Sequence, residues 1–362
     1  MSNIKTLQSA KKSIITPKLP LAHANAGLGG VLKSTPEAFR VWELRPEPLS
    51  GSGDHLILTL EKIGLNTNQL ADQLARLFGV HPREVGYAGK KDRHAVTIQD
   101  FSVLCPNEEP EGWRDTLPEG VRLLTVGRDR RKIKVGHLSG NRFEILLKRE
   151  PDPLAEHESK AAMTDKIEHT VKLITQHGVA NYFGAQRFGN QGDNAQRGFA
   201  MLKQGYKKAR RMNRNRRGMM ISAVRSELFN QILAKRIKAG YFNTLLDGDI
   251  AQKDGRSGAF LVEDAEVEKA RFQSHEIHPS GPLYGTSLLM ANQWPGEQEK
   301  SLAEENAEAI NGLAAFRVKG GRRALRVFPE DFSWAWQEDD LLFSFTLPRG
   351  SYATVVLEQF IG

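Results

Sequence analysis

Strand-like and helix-like stretches are interspersed irregularly along the 362 residues, and this order limits the folds open to the chain. Leu56, Leu58 and Leu60 alternate with other residues, which is typical of a strand with one buried face. Residues 222–239 instead carry apolar side chains at helical spacing, and Gly240 follows them as a helix stop. Because helices do not follow strands in a regular βαβ order, the sequence predicts an α+β fold.

A helix and two strands are predicted around the stretch GYAGKKDRH. Asn66 or Thr67 can cap the helix, and residues 83–89 follow as a short strand. After the stretch, apolar residues alternate over 96–103 with a slip of one residue at Gln99–Asp100, which predicts a β-bulge. The stretch is therefore predicted to be a tight connection between two strands.

Four further elements and a surface insertion are predicted from similar patterns. Strands are expected at 141–149 and 341–347, and helices at 156–177 and 351–360. The acidic segment 107–120 contains proline and glycine, so it is expected to lie on the surface.

The chain is basic, with a net charge of +8, and its positive charge is clustered in two runs. An excess of this kind favours a polyanionic partner, most commonly nucleic acid, although each run alone is also compatible with a solvated face. The candidate RNA-binding residues of the two runs are Arg130, Arg131, Lys132, Arg210, Arg211, Arg214, Arg216 and Arg217.

A single cysteine, Cys105, excludes an internal disulfide and a multi-cysteine zinc site. It ends an apolar run, so a plain buried thiol is predicted rather than a nucleophile. No apolar run approaches the ~18 residues that cross a membrane, and the N-terminus lacks a secretory h-region. A cytoplasmic protein with no membrane association and no bound metal is expected.

Asp92 stands among four cations: Lys90, Lys91, Arg93 and His94. The spacing of GYAGKK does not fit a phosphate-binding loop. A carboxylate beside cations stays ionised, so Asp92 can serve as a base or a nucleophile. On spacing alone, a surface aspartate that only stabilises a turn is the favoured explanation of the pattern.

Three motifs resemble the tRNA pseudouridine synthase D (TruD) family: GYAGKKDRHAVT, NYFGAQRFG and GSYATVVLEQ, in that order and approximate spacing. Weaker matches lie at 30–43, 140–143 and 246–249, so the resemblance covers most of the chain. It implies an isomerase without a cofactor that converts a uridine of the tRNA D arm, position 13 in the family, to pseudouridine. The implied partner is tRNA, and no obligatory protein partner is inferred.

The resemblance also implies a domain organisation. Residues 1–177 and 327–362 are expected to form the catalytic domain, with the mainly antiparallel pseudouridine-synthase sheet. An inserted α/β domain particular to the family is expected at 178–326.

Asp92 matches the catalytic aspartate of the family, and Lys33 is the candidate for its ion-pair partner. Three roles stay open for the carboxylate: attack on C1′ of the sugar, attack on C6 of the base, or abstraction of a sugar proton. Each of them requires the ionised form.

Phe39, Asn141 and Phe143 match family positions that contact the target nucleotide. Without the resemblance, Phe39 and Phe143 fit ordinary strand core. Tyr352 stands where the family pattern has phenylalanine, which retains the ring and adds a hydroxyl group.

Two alternatives from other classes compete with this interpretation. A non-catalytic RNA-binding protein would use the basic runs and leave Asp92 as a turn residue. A metal-dependent nuclease would need clustered carboxylates, of which the sequence shows no obvious set.

Overall fold

The computed structural model describes residues 19–149, 158–255 and 258–362. These residues form two compact units, each continuous in space. The first unit contains the described residues within 23–181 and 326–362, and the second contains those within 19–22 and 182–325.

The described residues form fourteen strands and nine α-helices. The strands are β1 (Phe39–Leu44), β2 (His55–Lys62), β3 (Val85–Tyr87), β4 (Val96–Leu104), β5 (Val121–Asp129), β6 (Gly140–Leu147), β7 (Val179–Ala180), β8 (Ile250–Lys253), β9 (Ala259–Leu261), β10 (Ile277–Leu283), β11 (Gly321–Ala324), β12 (Arg326–Val327), β13 (Glu330–Gln337) and β14 (Asp340–Pro348). The helices are α1 (Thr67–Leu77), α2 (Lys160–His177), α3 (Asn194–Lys203), α4 (Tyr206–Ala209), α5 (Arg214–Lys238), α6 (Ala265–Gln273), α7 (Gln293–Glu305), α8 (Ala307–Ala315) and α9 (Ala353–Ile361).

An eight-stranded sheet forms the centre of the first unit, in the order β13-β14-β6-β1-β4-β2-β5, with β3 also paired to β4. Its pairs are antiparallel except for the parallel pair of β1 and β4. Together with the interspersed helices, this mainly antiparallel sheet confirms the predicted α+β class.

The prediction of a β-bulge in β4 is wrong. The register between β4 and β2 runs without a break from His55–Leu104 to Lys62–Thr97. Nearly every residue of β4 is buried, so apolar side chains occupy both faces and the alternation carries no information on register. A register shift does occur in this sheet, but between β2 and β5 at Thr59–Leu60.

Two apolar clusters make up the core of the first unit. One contains Ile167 of α2 and Phe360 of α9, packed with Phe343 of the sheet. The other contains Leu70 and Leu74 of α1 with apolar residues of β2 and β4.

The segment 107–120 is not purely a surface insertion as predicted. Trp113 is buried in the α1 cluster, and its ring centroid lies 5.0 Å from that of Phe78. Because tryptophan buries a large apolar area, this side chain anchors the segment to the core.

Helix boundaries follow local capping. The Asn66 and Gln69 side chains form a capping box at the start of α1, as the sequence allowed. Ser159 caps α2, whereas the predicted start at 156 lies outside the described residues. Helix α5 begins eight residues before the predicted start at 222, because the side chain of Asn213 accepts hydrogen bonds from the first-turn amides.

The second unit contains the antiparallel sheet β11-β10-β8-β9, against which α5 packs. Residues 178 and 326 were the expected limits of the inserted domain, and the compact unit runs from Tyr182 to Leu325. Strands β7 and β12 pair with each other within the first unit, so the chain leaves and re-enters that unit through neighbouring strands. Among the described helices, none combines the length and apolar character needed to cross a membrane.

Candidate active site

Asp92 lies in the loop that connects β3 to β4, residues 88–95, as the sequence predicted. Its Oδ1 accepts a hydrogen bond of 3.0 Å from the backbone N–H of His94, which fixes the side chain against its own loop. Its Oδ2 lies 2.6 Å from Nζ of Lys33. The side chain remains 36% exposed, so a ligand can reach the carboxylate.

The environment of Asp92 keeps the carboxyl group ionised. Burial raises its pKa, but the hydrogen bonds from Lys33 and from the His94 N–H outweigh burial and hold the pKa below its ordinary value. The group is therefore a carboxylate at neutral pH, as base or nucleophile chemistry requires.

Lys33 contacts two of the predicted site residues. Besides its ion pair with Asp92, its Nζ lies 4.6 Å from the centroid of the Phe39 ring, in a cation–π geometry. The backbone of Lys33 is in the left-handed region, with φ of 59°, which is uncommon for a residue other than glycine. The structure thus brings Asp92 to Lys33 and Phe39, although Lys33 lies 59 positions away from it in sequence.

The cations next to Asp92 in sequence do not provide its salt bridge. Nζ of Lys91 instead lies 2.5 Å from Oε2 of Glu43 on β1, and both side chains are largely buried. Burial raises the pKa of Glu43, and the nearby Lys91 opposes part of that rise. This pair attaches the Asp92 loop to β1.

A hydrogen-bonded chain attaches the same loop to α1 and β4. Oγ1 of Thr67 accepts from the backbone N–H of Lys91 at 2.9 Å and donates to Oε1 of Gln99 at 2.9 Å. Nε2 of Gln99 donates to the carbonyl of Gly89 at 3.1 Å. Both side chains are buried, so the loop conformation is determined by the packed sheet and helix rather than by solvent.

Lys62, which was not among the predicted site residues, is fully buried. Its Nζ donates to the carbonyl oxygens of Leu65 at 2.8 Å and of Asp92 at 3.2 Å. Burial lowers the pKa of Lys62 to about 8, although the Asp92 carboxylate opposes this. A signal was present in the sequence, because the alternation of Leu58 and Leu60 on β2 continues to Lys62 and puts it on the buried face.

Phe39 and Phe143 are 4% and 7% exposed and belong to the core of the first unit. Their ring centroids lie 6.3 Å apart in an edge-to-face arrangement, across paired strands β1 and β6. Both rings therefore pack in the core, as expected without the resemblance. Phe39 also contacts Lys33, so Lys33 connects this part of the core to the Asp92 carboxylate.

Asn141 lies on β6 opposite Glu43, the residue that holds Lys91. Its Oδ1 is buried and has no hydrogen-bond partner among the residues that the structure describes. A buried polar atom of this kind is costly unless a ligand or water supplies the partner. Tyr352 is half-buried and occupies the N-cap position of α9.

The basic run after β5 is partly neutralised. Nη2 of Arg131 lies 3.2 Å from Oε2 of Glu47, and Nζ of Lys132 donates to the carbonyl of Arg83. Arg130 is exposed, and within the described part of the chain it forms no salt bridge.

The second basic run leads into α5. Arg217 is structural, since its Nη1 donates to the carbonyls of Arg210 and Met212 and its guanidinium lies 5.3 Å from the Phe316 ring centroid. The other candidate arginines of this run are exposed and make no salt bridge with any described residue: Arg210, Arg211, Arg214 and Arg216. Four positive charges are thus left open to solvent on the second unit.

The chain is similar to known proteins over nearly its full length. The family model of tRNA pseudouridine synthase D (TruD) matches residues 20–213 and 209–360. The tRNA pseudouridine synthase D of Methylococcus capsulatus is 37% identical over 346 residues, 95% of this chain and 94% of the relative. The protein of the same name from Proteus mirabilis is 36% identical over 358 residues, 95% of each chain.

A solved structure shows the same fold. It is a candidate tRNA pseudouridine synthase D from Methanosarcina mazei, which aligns with a TM-score of 0.74 at 23% identity over 94% of this chain and 95% of that one. The family model and the curated relatives extend over nearly the full length, including the loop around Asp92. The chain therefore belongs to the tRNA pseudouridine synthase D family.

Proposed function

We propose that this protein is a tRNA pseudouridine synthase that isomerises the uridine at position 13, in the D arm, with Asp92 as its catalytic residue and without a cofactor. The observation that carries the proposal is the Asp92 carboxylate, which is ionised, accessible and fixed by Lys33 and the His94 amide. Membership of the family supports the reaction class, and a tRNA substrate supports the expected cytoplasmic location.

The reaction is an isomerisation, so its atoms balance without an oxidant or a second substrate. The bond from C1′ to N1 breaks, the uracil turns within the site, C1′ bonds to C5, and the C5 proton moves to solvent while N1 regains one. An ionised Asp92 fits attack on C1′, attack on C6 or abstraction of a sugar proton. The attachments of its loop to Glu43, Thr67 and Lys62 hold the carboxylate in one place for any of these steps.

We assign the base pocket to Phe39, Asn141, Phe143 and Tyr352. Taking a base out of its stack costs a few kcal/mol, so the pocket must supply contacts in return. The unpartnered amide oxygen of Asn141 supports this assignment, since a uracil N–H would give it a hydrogen bond. Lys33 connects the pocket to the catalytic group through Phe39 and Asp92.

We also assign the second unit as the inserted domain of the family, with RNA-binding arginines in its basic run. Four arginines without acidic partners support a polyanionic ligand there.

Replacement of Asp92 tests the proposal. We expect Asp92→Asn and Asp92→Ala to bind tRNA within a few-fold of wild type and to make no detectable pseudouridine. Asp92→Glu should lose about 100-fold in rate, because the longer side chain displaces the carboxylate. The measurement is pseudouridine mapping on an unmodified tRNA transcript, with purified protein and no added cofactor.

Asp129→Asn is a matched control, because Asp129 also accepts backbone hydrogen bonds in a turn of the first unit, from Ser50 and Arg131. Its activity should equal that of wild type. Substantial pseudouridine from Asp92→Ala would remove Asp92 from the mechanism. A wild-type protein that binds tRNA and alters no uridine would instead be a non-catalytic RNA-binding protein.

A further inference from the structure

Arginines surround the ring of Phe183 in the second unit. The guanidinium carbon of Arg187 lies 5.3 Å from the ring centroid, and that of Arg323 lies 4.1 Å from the same centroid. Arg225 of α5 is close enough for its pKa to be lowered, first by its burial and then by the charge of Arg187. Three guanidinium groups therefore share one small region of the second unit.

The hydrogen bonds of Arg187 go to neutral oxygens. Its Nε donates to Oγ of Ser226 at 3.1 Å, and its Nη2 donates to Oγ of Ser222. Both serines lie on α5, so the guanidinium lies against this helix. Arg187 itself is exposed and forms no salt bridge with any residue in the described part of the chain.

Among the described residues, Arg225 also donates only to neutral groups. Its Nη2 donates to the carbonyl oxygens of Leu283 at 2.9 Å and Lys319 at 3.0 Å. Its Nε is buried and has no hydrogen-bond partner among the described residues. The side chain thus keeps an unused donor as well as an uncompensated charge.

Two arginines of the same unit with buried side chains are neutralised by acids. Arg236 lies 2.7 Å from Asp249, and Arg322 lies 2.8 Å from Glu299. A buried charge without a counter-charge is unfavourable, which explains these two pairs. Arg225 is half-buried beside the exposed Arg187, and neither has an acid partner among the described residues, so an anionic ligand can supply the counter-charge.

We propose that Arg187 and Arg225 form a binding site for a phosphate of the RNA backbone. This inference rests on the proposed function for the identity of the polymer. In both arginines Nη1 makes no hydrogen bond with a described residue and can donate to a phosphate oxygen, and the hydrogen bonds to serines and carbonyls fix the two guanidinium groups in advance.

The geometry of α5 connects this site to the basic run. At about 100° and 1.5 Å per residue, Arg214 and Arg225 lie on one face of α5, about 16 Å apart. Gly218 lies between them on that face, and the space where a side chain would begin is open. An RNA strand that follows α5 from the exposed Arg214 to Arg225 therefore meets no side chain at position 218 and passes Ile221, which packs against the core of the unit.

The test measures the affinity for an unmodified tRNA transcript as a function of salt, with Asp92→Asn in every protein so that the RNA stays unchanged. Each lost phosphate contact should reduce the slope of log K against log salt by about 0.7–0.9. Arg187→Gln is expected to show this reduction. Arg271→Gln is the matched control: Arg271 also stacks on a ring, that of Phe260, but is neutralised by Glu268.

Two substitutions of Arg225 separate the effect of its charge on RNA binding from its structural role. Arg225→Gln should reduce the slope by the same amount, whereas Arg225→Lys should preserve it. An equal loss in both variants, with a lower melting temperature, would make Arg225 only a bridge between two loops and overturn the site. A slope unchanged by Arg187→Gln would overturn it as well.

Two further outcomes separate the site from other assignments. In the first, inorganic phosphate replaces chloride at constant ionic strength and raises the melting temperature only when Arg187 is present. If the salt slope of tRNA binding is then unchanged by Arg187→Gln, the site binds a free anion and the RNA assignment is wrong. Pseudouridine formation by wild type is measured separately. A wild type without that activity but with the Arg187-dependent slope would refute the proposed reaction and retain the phosphate site.

Discussion

The lowered pKa of Asp92 depends on a residue that lies 59 positions away in sequence. Lys33 donates to Oδ2 at 2.6 Å, and this hydrogen bond is the largest of the interactions that lower the pKa of Asp92. Because the folded pKa is lowered, the ionised carboxylate contributes stability above its ordinary pKa and loses that contribution as the pH falls through the folded pKa. The same ionisation should set the acid limit of the reaction.

We therefore expect Lys33→Met to move the acid limb of the pH–rate profile to higher pH. The physical reason is that Asp92 then keeps its burial and loses its main hydrogen-bond donor. Lys90→Met is the control, since Lys90 is an exposed lysine of the same loop and should leave the limb in place. The measurement is the single-turnover rate of pseudouridine formation against pH. An acid limb that Lys33→Met leaves in place would mean that another group sets it.

Phe143 belongs to the core and to the proposed pocket, and two substitutions separate these roles. Phe143→Ala should cost about 3–5 kcal/mol of stability, because it leaves a cavity beside Phe39 and Phe345. Phe143→Leu keeps most of the apolar volume but removes the ring, whose stacking on a base is worth roughly 1–3 kcal/mol. We expect the leucine variant to melt near wild type and react about 10-fold more slowly, as measured by thermal unfolding and single-turnover rates. Full activity with leucine would leave Phe143 as core packing alone.

At the scale of elements, the same substitution is expected to have opposite effects at two helical glycines. A Cβ on Gly198 of α3 would lie 2.6 Å from both the carbonyl of Met220 and the Val224 side chain of α5. A Cβ on Gly218 of α5 would meet no atom within 4 Å. We expect Gly198→Ala to destabilise the protein by about 1–3 kcal/mol through overpacking.

Gly218→Ala should stabilise it by up to about 1 kcal/mol, because alanine has the higher helix propensity. Urea unfolding measures both changes. Stabilisation by Gly198→Ala would show that α3 and α5 can separate at no cost. The close crossing of these helices is thus an element-scale property that neither helix sequence reveals alone.

At the scale of the whole molecule, the net charge of +8 should make tRNA binding strongly dependent on salt. A variant with Gln at Arg210, Arg211, Arg214 and Arg216 should bind more weakly and with a flatter salt slope. Arg217 is kept in this variant, because it donates to two backbone carbonyls and lies over the Phe316 ring. Its removal would disturb the fold. Binding of an unmodified tRNA transcript at several salt concentrations measures the effect, and an unchanged slope would make this run a solvated face.

The sequence by itself determined the fold class and the positions of several elements, and its motifs marked Asp92 as the candidate catalytic residue. Alternation and helical spacing depend only on which faces are apolar, so β2, α1 and α9 followed directly from the pattern. The motif around Asp92 is long enough to indicate a family without a structure.

Only the tertiary structure decided which partners the cations of the Asp92 loop take, whereas the family resemblance had already named Lys33 as the partner of the carboxylate. The cations beside it in sequence are not its salt-bridge partners: Lys91 pairs with Glu43, and Lys33 pairs with the carboxylate. Pairing of this kind depends on which strands and loops become neighbours, and local spacing does not encode that information. The misplaced bulge has the same origin, because burial on both faces of a strand depends on what packs against it.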